Sequence, residues 1–181
     1  MEVTIRRAAP DDAALLHSLA RETFALACPP HTTAQAIEDF ISTVLSPESF
    51  DTYLADPAKG LFIAGVENGA VGYTMVVLGE PGDPDAAAVV SARPTAELSK
   101  IYVLEGSHGQ GVAPALLDVS IEFARANGAR TLWLGVNEEN ERANRFYAKN
   151  GFAQVGTKTF LVGDRYENDF VRERVLDRRA F

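Results

Sequence analysis

The run Ala96-Glu97-Leu98-Ser99-Lys100-Ile101-Tyr102-Val103-Leu104, then Glu105-Gly106-Ser107-His108-Gly109-Gln110-Gly111, then Val112-Ala113-Pro114-Ala115-Leu116-Leu117 decides the reading of this chain. Its first part has the character of a strand. Its second part is a glycine-rich turn. Its third part opens a helix that reaches Asn127, with Ala113, Leu116, Leu117, Ile121 and Ala124 on one face and Gly128 as the C-terminal stop. Gly109 and Gly111 let the backbone come close to a ligand without a Cβ in the way. The first helical turn leaves N–H groups unpaired at the positive end of the helix dipole. Together these features suit a phosphate or pyrophosphate. The turn lacks the Lys of a Walker loop, and position 114 is Pro, which departs from a dinucleotide fingerprint. Taken alone, it is equally a helix start with glycines for tight packing.

Working outward, Thr131 to Val136 (TLWLGV) is a nearly all-apolar strand. With the strand before the helix it forms a βαβ unit, which pairs parallel. Asn140 caps a short helix with Ala143, Phe146 and Tyr147 on its apolar face, and Gly151 ends it. Phe152 to Leu161 and Tyr166 to Val175 read as two closing strands. On the N-terminal side, Glu2 to Arg7 alternates as a strand. Pro10-Asp11-Asp12 opens a helix that Pro29-Pro30 stops. Thr32 or Thr33 caps a second helix with Ile37, Phe40, Ile41 and Val44, and Ser46-Pro47-Glu48 starts a third. Asn68-Gly69 turns a hairpin between Leu61–Val66 and Ala70–Leu78. Gly79 to Arg93, rich in Gly, Pro, Asp and Ala, reads as a flexible excursion where a substrate lid would lie. The predicted order is β-α-α-α-β-β-β-α-β-α-β-β, an α/β domain with a mixed, mostly antiparallel sheet flanked by helices.

Composition narrows the function. The chain has 181 residues, 46% of them hydrophobic, and a formal net charge of -8. That charge argues against nucleic acid as a partner. It suits a cationic substrate, although solubility accounts for it as well. A single cysteine, Cys28, excludes an internal disulfide and a cysteine-based zinc site, and suits a reducing compartment. The first residues lack the apolar core of a signal peptide, and no run reaches the roughly 18 apolar residues of a membrane helix. A cytoplasmic location with no membrane partner is therefore expected. Ser99 and Ser107 have no spaced His and Asp partners for a hydrolase triad. No His/Asp/Glu spacing suggests a metal, and none is expected.

Two motifs carry a resemblance. Leu98-Ser99-Lys100-Ile101-Tyr102-Val103, His108-Gly109-Gln110-Gly111-Val112-Ala113 and Leu116-Leu117 resemble the acetyl-CoA-binding motif of the GNAT superfamily. Asn140-Glu141-Arg142-Ala143-Asn144-Arg145-Phe146-Tyr147-Ala148-Lys149-Asn150-Gly151-Phe152 resembles its C-terminal motif. The resemblance implies one N-acetyltransferase domain over residues 1–181. Residues 1–59 would carry acceptor-site elements, and 60–181 the sheet and the acetyl-CoA site. It implies acetyl-CoA as cosubstrate, with Tyr102, Val103 and Leu104 on pantetheine and acetyl. His108, Gly109, Gln110, Gly111, Val112 and Ala113 would hold the pyrophosphate. His108 stands where the family has Gln or Arg, so its backbone N–H serves there, and Pro114 removes one donor.

Asn140 is both a helix cap and, by resemblance, a cofactor contact. Tyr147 is the candidate acid for the departing thiolate and a cofactor contact. Glu97 is the candidate base, with Tyr102 and His31 as alternatives. The stretch Glu97 to Leu104, with Val162-Gly163-Asp164-Arg165-Tyr166 leading to Asp169-Phe170-Val171, resembles the bacterial polyamine (spermidine/spermine) branch. Glu80, Asp83, Asp85 and Glu97 would supply its acidic pocket. Acetylation of a protein N-terminus or lysine, and a non-catalytic acetyl-CoA-binding module, are the alternatives. A homodimer is compatible with an exposed C-terminal edge strand.

Overall fold

The structure, a computed structural model, describes residues 2–176. Strand β1 (Thr4–Arg7) leads through a 3-10 turn (Pro10–Asp12) into α1 (Ala13–Ala27), α2 (Ala34–Thr43) and α3 (Pro47–Ala55). Then come β2 (Lys59–Val66), β3 (Gly69–Leu78), α4 (Pro84–Val89), β4 (Thr95–Val103), α5 (Val112–Ala126), β5 (Thr131–Asn137), α6 (Glu141–Lys149), β6 (Ala153–Val162) and β7 (Arg165–Val175). Local chemistry explains the helix starts. Thr33 and Ser46 accept from the Ala36 and Ser49 N–H groups, and Pro47 fills the first turn of α3.

Seven strands form one sheet in the order β1-β2-β3-β4-β5-β7-β6. Every pairing is antiparallel except β4 with β5. The α/β class and the parallel βαβ unit expected from the sequence are thus present. That parallel ladder is short: it joins Thr95, Ala96 and Glu97 to Thr131, Leu132 and Trp133. Beyond it β4 continues against β3, and β5 continues against β7. The two strands therefore part, opening a split in the sheet.

Ser99 is a β-bulge: Val76 faces Leu98 and Met75 faces Lys100, so Ser99 has no opposite number. In a regular strand Glu97 and Lys100 would point to opposite faces. The extra residue resets the alternation and puts both on one face.

Two layers of helix cover the sheet. On one face α5 and α6 bury Leu117, Ile121, Ala124 and Tyr147 against Leu98, Leu132, Leu134 and Phe152. On the other, α1 to α3 bury Leu16, Phe24, Ile41 and Phe50 against Leu61, Ile63, Tyr73 and Met75. Leu116, fully buried, packs on the backbone of Gly72, where a Cβ would meet its methyl at 3.1 Å. Leu116→Ala should lower unfolding free energy by about 2–5 kcal/mol, read from denaturant midpoints.

The structure corrects one expectation. Gly79–Arg93 is not a flexible excursion, because it contains α4. Asp83 accepts from the Asp85 and Ala86 N–H groups, and Pro84 occupies the first turn. Ala86 and Val90 are buried with Trp133 and Val171. Ser91 donates through its backbone N–H at 2.8 Å and its hydroxyl to Glu173, and Arg93 ties to Glu80 and to the Ala87 carbonyl. The turn-forming composition of the segment hid a capped alanine helix docked on β5 and β7.

Candidate active site

The glycine turn lies at the end of β4, where the split opens. Gly109 and Gly111 have φ of +79° and +83°, in the left-handed region, and open space surrounds both α-carbons. Gly111 is the N-cap of α5. The N–H groups of Gly109, Gln110, Gly111, Val112 and Ala113 have no partner among the described residues. Five donors converging at a helix N-terminus suit a pyrophosphate. Gly111→Val would force a β-branched residue into left-handed backbone, or move the turn, at about 1–2 kcal/mol. Coenzyme A affinity, measured by titration calorimetry, should fall about tenfold.

His108 does more than its backbone suggested. One ring nitrogen, Nδ1, accepts from Arg142, which can only donate. Nε2 therefore carries the proton and donates to the Val103 carbonyl at 2.9 Å. The imidazole thus ties the end of β4 to α6. In the sequence Arg142 stood only within the C-terminal motif, with no role of its own. Asn140 acts as the helix cap, its side chain accepting from the Ala143 N–H.

The split leaves a free edge on β4. The Leu104 N–H donates to Val71, which makes Tyr102 and Tyr73 a hydrogen-bonded pair. By alternation, the backbone groups of Ile101 and Val103 point away from β3, into the split. Of the residues expected to line an extended ligand arm, Val103 offers its N–H there, its carbonyl already accepting from His108. Tyr102 spends its backbone groups on β3, and Leu104 gives its N–H to Val71 and its carbonyl to Ser107, so both contribute only side chains.

Tyr147, on α6, is buried, with its ring between Phe146 and Phe152. Burial holds its phenol well above the usual range. Tyr102 lies on the opposite face, beside Tyr73. Burial raises its pKa too, and the nearby Tyr147, Cys28 and Asp169 add to the effect. The two tyrosines therefore meet across the split. Burial also pushes the Cys28 thiol up, to about 11, so it stays neutral.

Glu97 is half-buried on the α1–α4 face, at the point where β4 and β5 part. Burial raises its pKa, opposed by Lys100 and Lys158. Lys158 lies across Gly135 of β5, with its ammonium 3.5 Å from Asp169. Asp83 sits close enough to raise the pKa of both Glu97 and Asp169. Glu80, in contrast, pairs with Arg93, and Asp85 is exposed on α4. The four expected acids are not gathered into one pocket.

His31, in the loop between α1 and α2, meets two carboxylates distant in sequence. Its Nε2 lies 2.7 Å from Glu167, and its Nδ1 lies 3.8 Å from Glu139. All three donor atoms fall within 4.8 Å of one another. The acids approach opposite ring nitrogens rather than one shared coordination point. The cluster borders a cleft of ≈ 250 Å³ between the end of α1 and the β5–α6 turn, lined by Cys28, Pro30, Asn137 and Arg142. A larger hollow of ≈ 640 Å³ lies between Lys149 and Val175 and contains none of these groups. Among the described residues, no helix is long and apolar enough to cross a membrane.

A donor-rich turn where two parallel strands part, with titratable groups on both sides, suits an α/β protein that binds a phosphate-bearing ligand. Residues 20–152 match the model of the Acetyltransferase (GNAT) family, and the chain belongs to that family. Its reaction is accordingly acetyl transfer from acetyl-CoA to an amine nitrogen. An uncharacterised N-acetyltransferase of Mycobacterium tuberculosis is 42% identical over 165 residues, covering 91% of this chain and 98% of that one. The PaiA N-acetyltransferase of Thermoplasma acidophilum, solved in complex with coenzyme A, has a TM-score of 0.75 at 20% identity, covering 97% and 99% of the two chains. The spermidine/spermine N-acetyltransferase SpeG of Vibrio cholerae has a TM-score of 0.65 at 16% identity, covering 96% and 94%. At these identities the two solved structures speak to the fold.

Proposed function

We propose that the protein acetylates a small primary amine by direct attack, with Glu97 as base and Tyr147 as acid. The observation that carries this is the placement of the two groups. Glu97 stands where β4 and β5 part, and Tyr147, on α6 at the other face, lies near enough to Tyr102 of β4 to raise its pKa. The free N–H groups of Gly109 to Ala113, with the backbone of Ile101 and the N–H of Val103, would hold acetyl-CoA, whose thioester supplies the acetyl group. Asn140 and Arg142 flank that turn.

The acceptor amine enters from the α1–α4 face. Glu97 takes a proton from its ammonium, and the nitrogen lone pair bonds to the acetyl carbonyl carbon. The carbon–sulfur bond breaks, the Tyr147 phenol protonates the departing sulfur, and the second proton lost from the acylated nitrogen passes through solvent to restore that phenol. The products are the N-acetyl amine and free coenzyme A thiol. Burial suits both roles: it makes Glu97 a stronger base than a solvated carboxylate, and it keeps Tyr147 protonated.

A polyamine acceptor is a second reading. The Glu139–Glu167 pair at the cleft, partnered by His31, favours it because two carboxylates there suit a distal ammonium. A colorimetric assay of thiol release from acetyl-CoA against polyamines, amino acids, aminoglycosides and short peptides tests the proposal. Turnover of a small amine supports it. Turnover of peptides alone points to protein acetylation, and coenzyme A binding with no turnover points to a binding module.

A further inference from the structure

Lys100 has a side chain that the reaction above does not use. It is half-buried on the α1–α4 face, and its ammonium has no hydrogen bond or carboxylate within salt-bridge distance among the described residues. The Tyr53 ring lies 5.5 Å from the ammonium. Neighbouring Lys59 is already paired with Asp56 at 2.6 Å. Glu97 also lacks a hydrogen bond, and the two groups lie within electrostatic reach without touching. The Ser99 bulge brings this anion and this cation to one face, three residues apart. Lys158, beside Asp169, adds a second cation to the same face.

Burial without a partner lowers the Lys100 pKa to about 8; a purely cationic amine nearby adds to that cost, whereas a bound anion relieves it. A site for an amine that also bears an anion gains a partner for each pole. Because both poles come from one short stretch of strand, the two charges on the ligand are close together. Resting on the small-amine reading, we infer that the acceptor is an amino acid, its amine at Glu97 and its carboxylate on Lys100, which sets specificity. Tyr53, whose hydroxyl donates to the Val44 carbonyl at 2.8 Å, holds its ring 5.5 Å from the Lys100 ammonium.

The test uses acceptors that differ only in the carboxylate: phenylalanine and phenethylamine, lysine and cadaverine, ornithine and putrescine. Each is assayed by thiol release with wild type, Lys100→Met and Lys100→Arg. A hydrogen-bonded charge pair is worth about tenfold to a hundredfold, so kcat/KM for the preferred amino acid should exceed that of its decarboxylated partner by that factor. The ratio should collapse towards one in Lys100→Met and recover in Lys100→Arg, while coenzyme A affinity stays put. A decarboxylated member or spermidine preferred by wild type overturns the inference and leaves the small-amine reading standing. So does a ratio unmoved by Lys100→Met. No turnover of any pair, with coenzyme A bound, overturns the small-amine reading itself, and the inference with it.

Discussion

Replacing Glu97 with Gln lowers kcat/KM by about 10²–10⁴-fold while the affinity for coenzyme A holds. The carboxylate is the group that accepts a proton from the incoming ammonium, and the amide cannot do so. The pH profile carries a second, independent signature. Burial disfavours the Glu97 anion, and Lys100 and Lys158 only partly offset it, so the carboxyl titrates above the ordinary value of 4.5. A base with a raised pKa is active above that pKa and is lost as pH falls through it. The wild-type profile therefore has an acid limb displaced upward, and Glu97→Gln removes that limb. An unchanged rate and an intact acid limb would move the base to Tyr102 or His31.

Tyr147→Phe lowers kcat by about 10²-fold, the usual worth of one positioned acid. The ring keeps its contacts with Phe146 and Phe152, so the melting temperature barely moves. That separation of rate from stability makes the substitution informative. Because burial raises the phenol pKa, Tyr147 contributes no falling basic limb at the pH where an ordinary tyrosine ionises. Wild-type kcat measured up to that pH should show no loss attributable to this group. Equal kcat in the two enzymes would hand thiolate protonation to solvent.

The legible parts of the fold are those with local causes. The Asn68-Gly69 turn, the Ser46-Pro47 and Thr33 caps and the glycine turn at 109–111 each act over a few residues, and each produces the element expected. The helix at Pro84–Val89 was missed although its own signals, Asp83 as cap and Pro84 at the start, are local. The surrounding glycines and prolines outweighed them. What secures that helix is burial of Ala86 and Val90 under Trp133, a contact nearly fifty positions away in the chain.

The site divides in the same way. Sequence alone determined the donor turn, the capped α6 with Tyr147 on its apolar face, and the parallel βαβ unit that joins them, because turn chemistry and periodicity are properties of neighbours. Tertiary structure decided the rest. The Ser99 bulge turned Glu97 and Lys100 to one face, against simple alternation. The parting of β4 from β5 after Glu97 and Trp133 freed the backbone of Ile101 and the N–H of Val103. The chain path brought His31 to Glu167 across 136 positions and set His108 between Val103 and Arg142. These are pairings between distant segments. Their free energy depends on desolvation and on which strand edges remain unpaired, and neither quantity exists until the sheet is built.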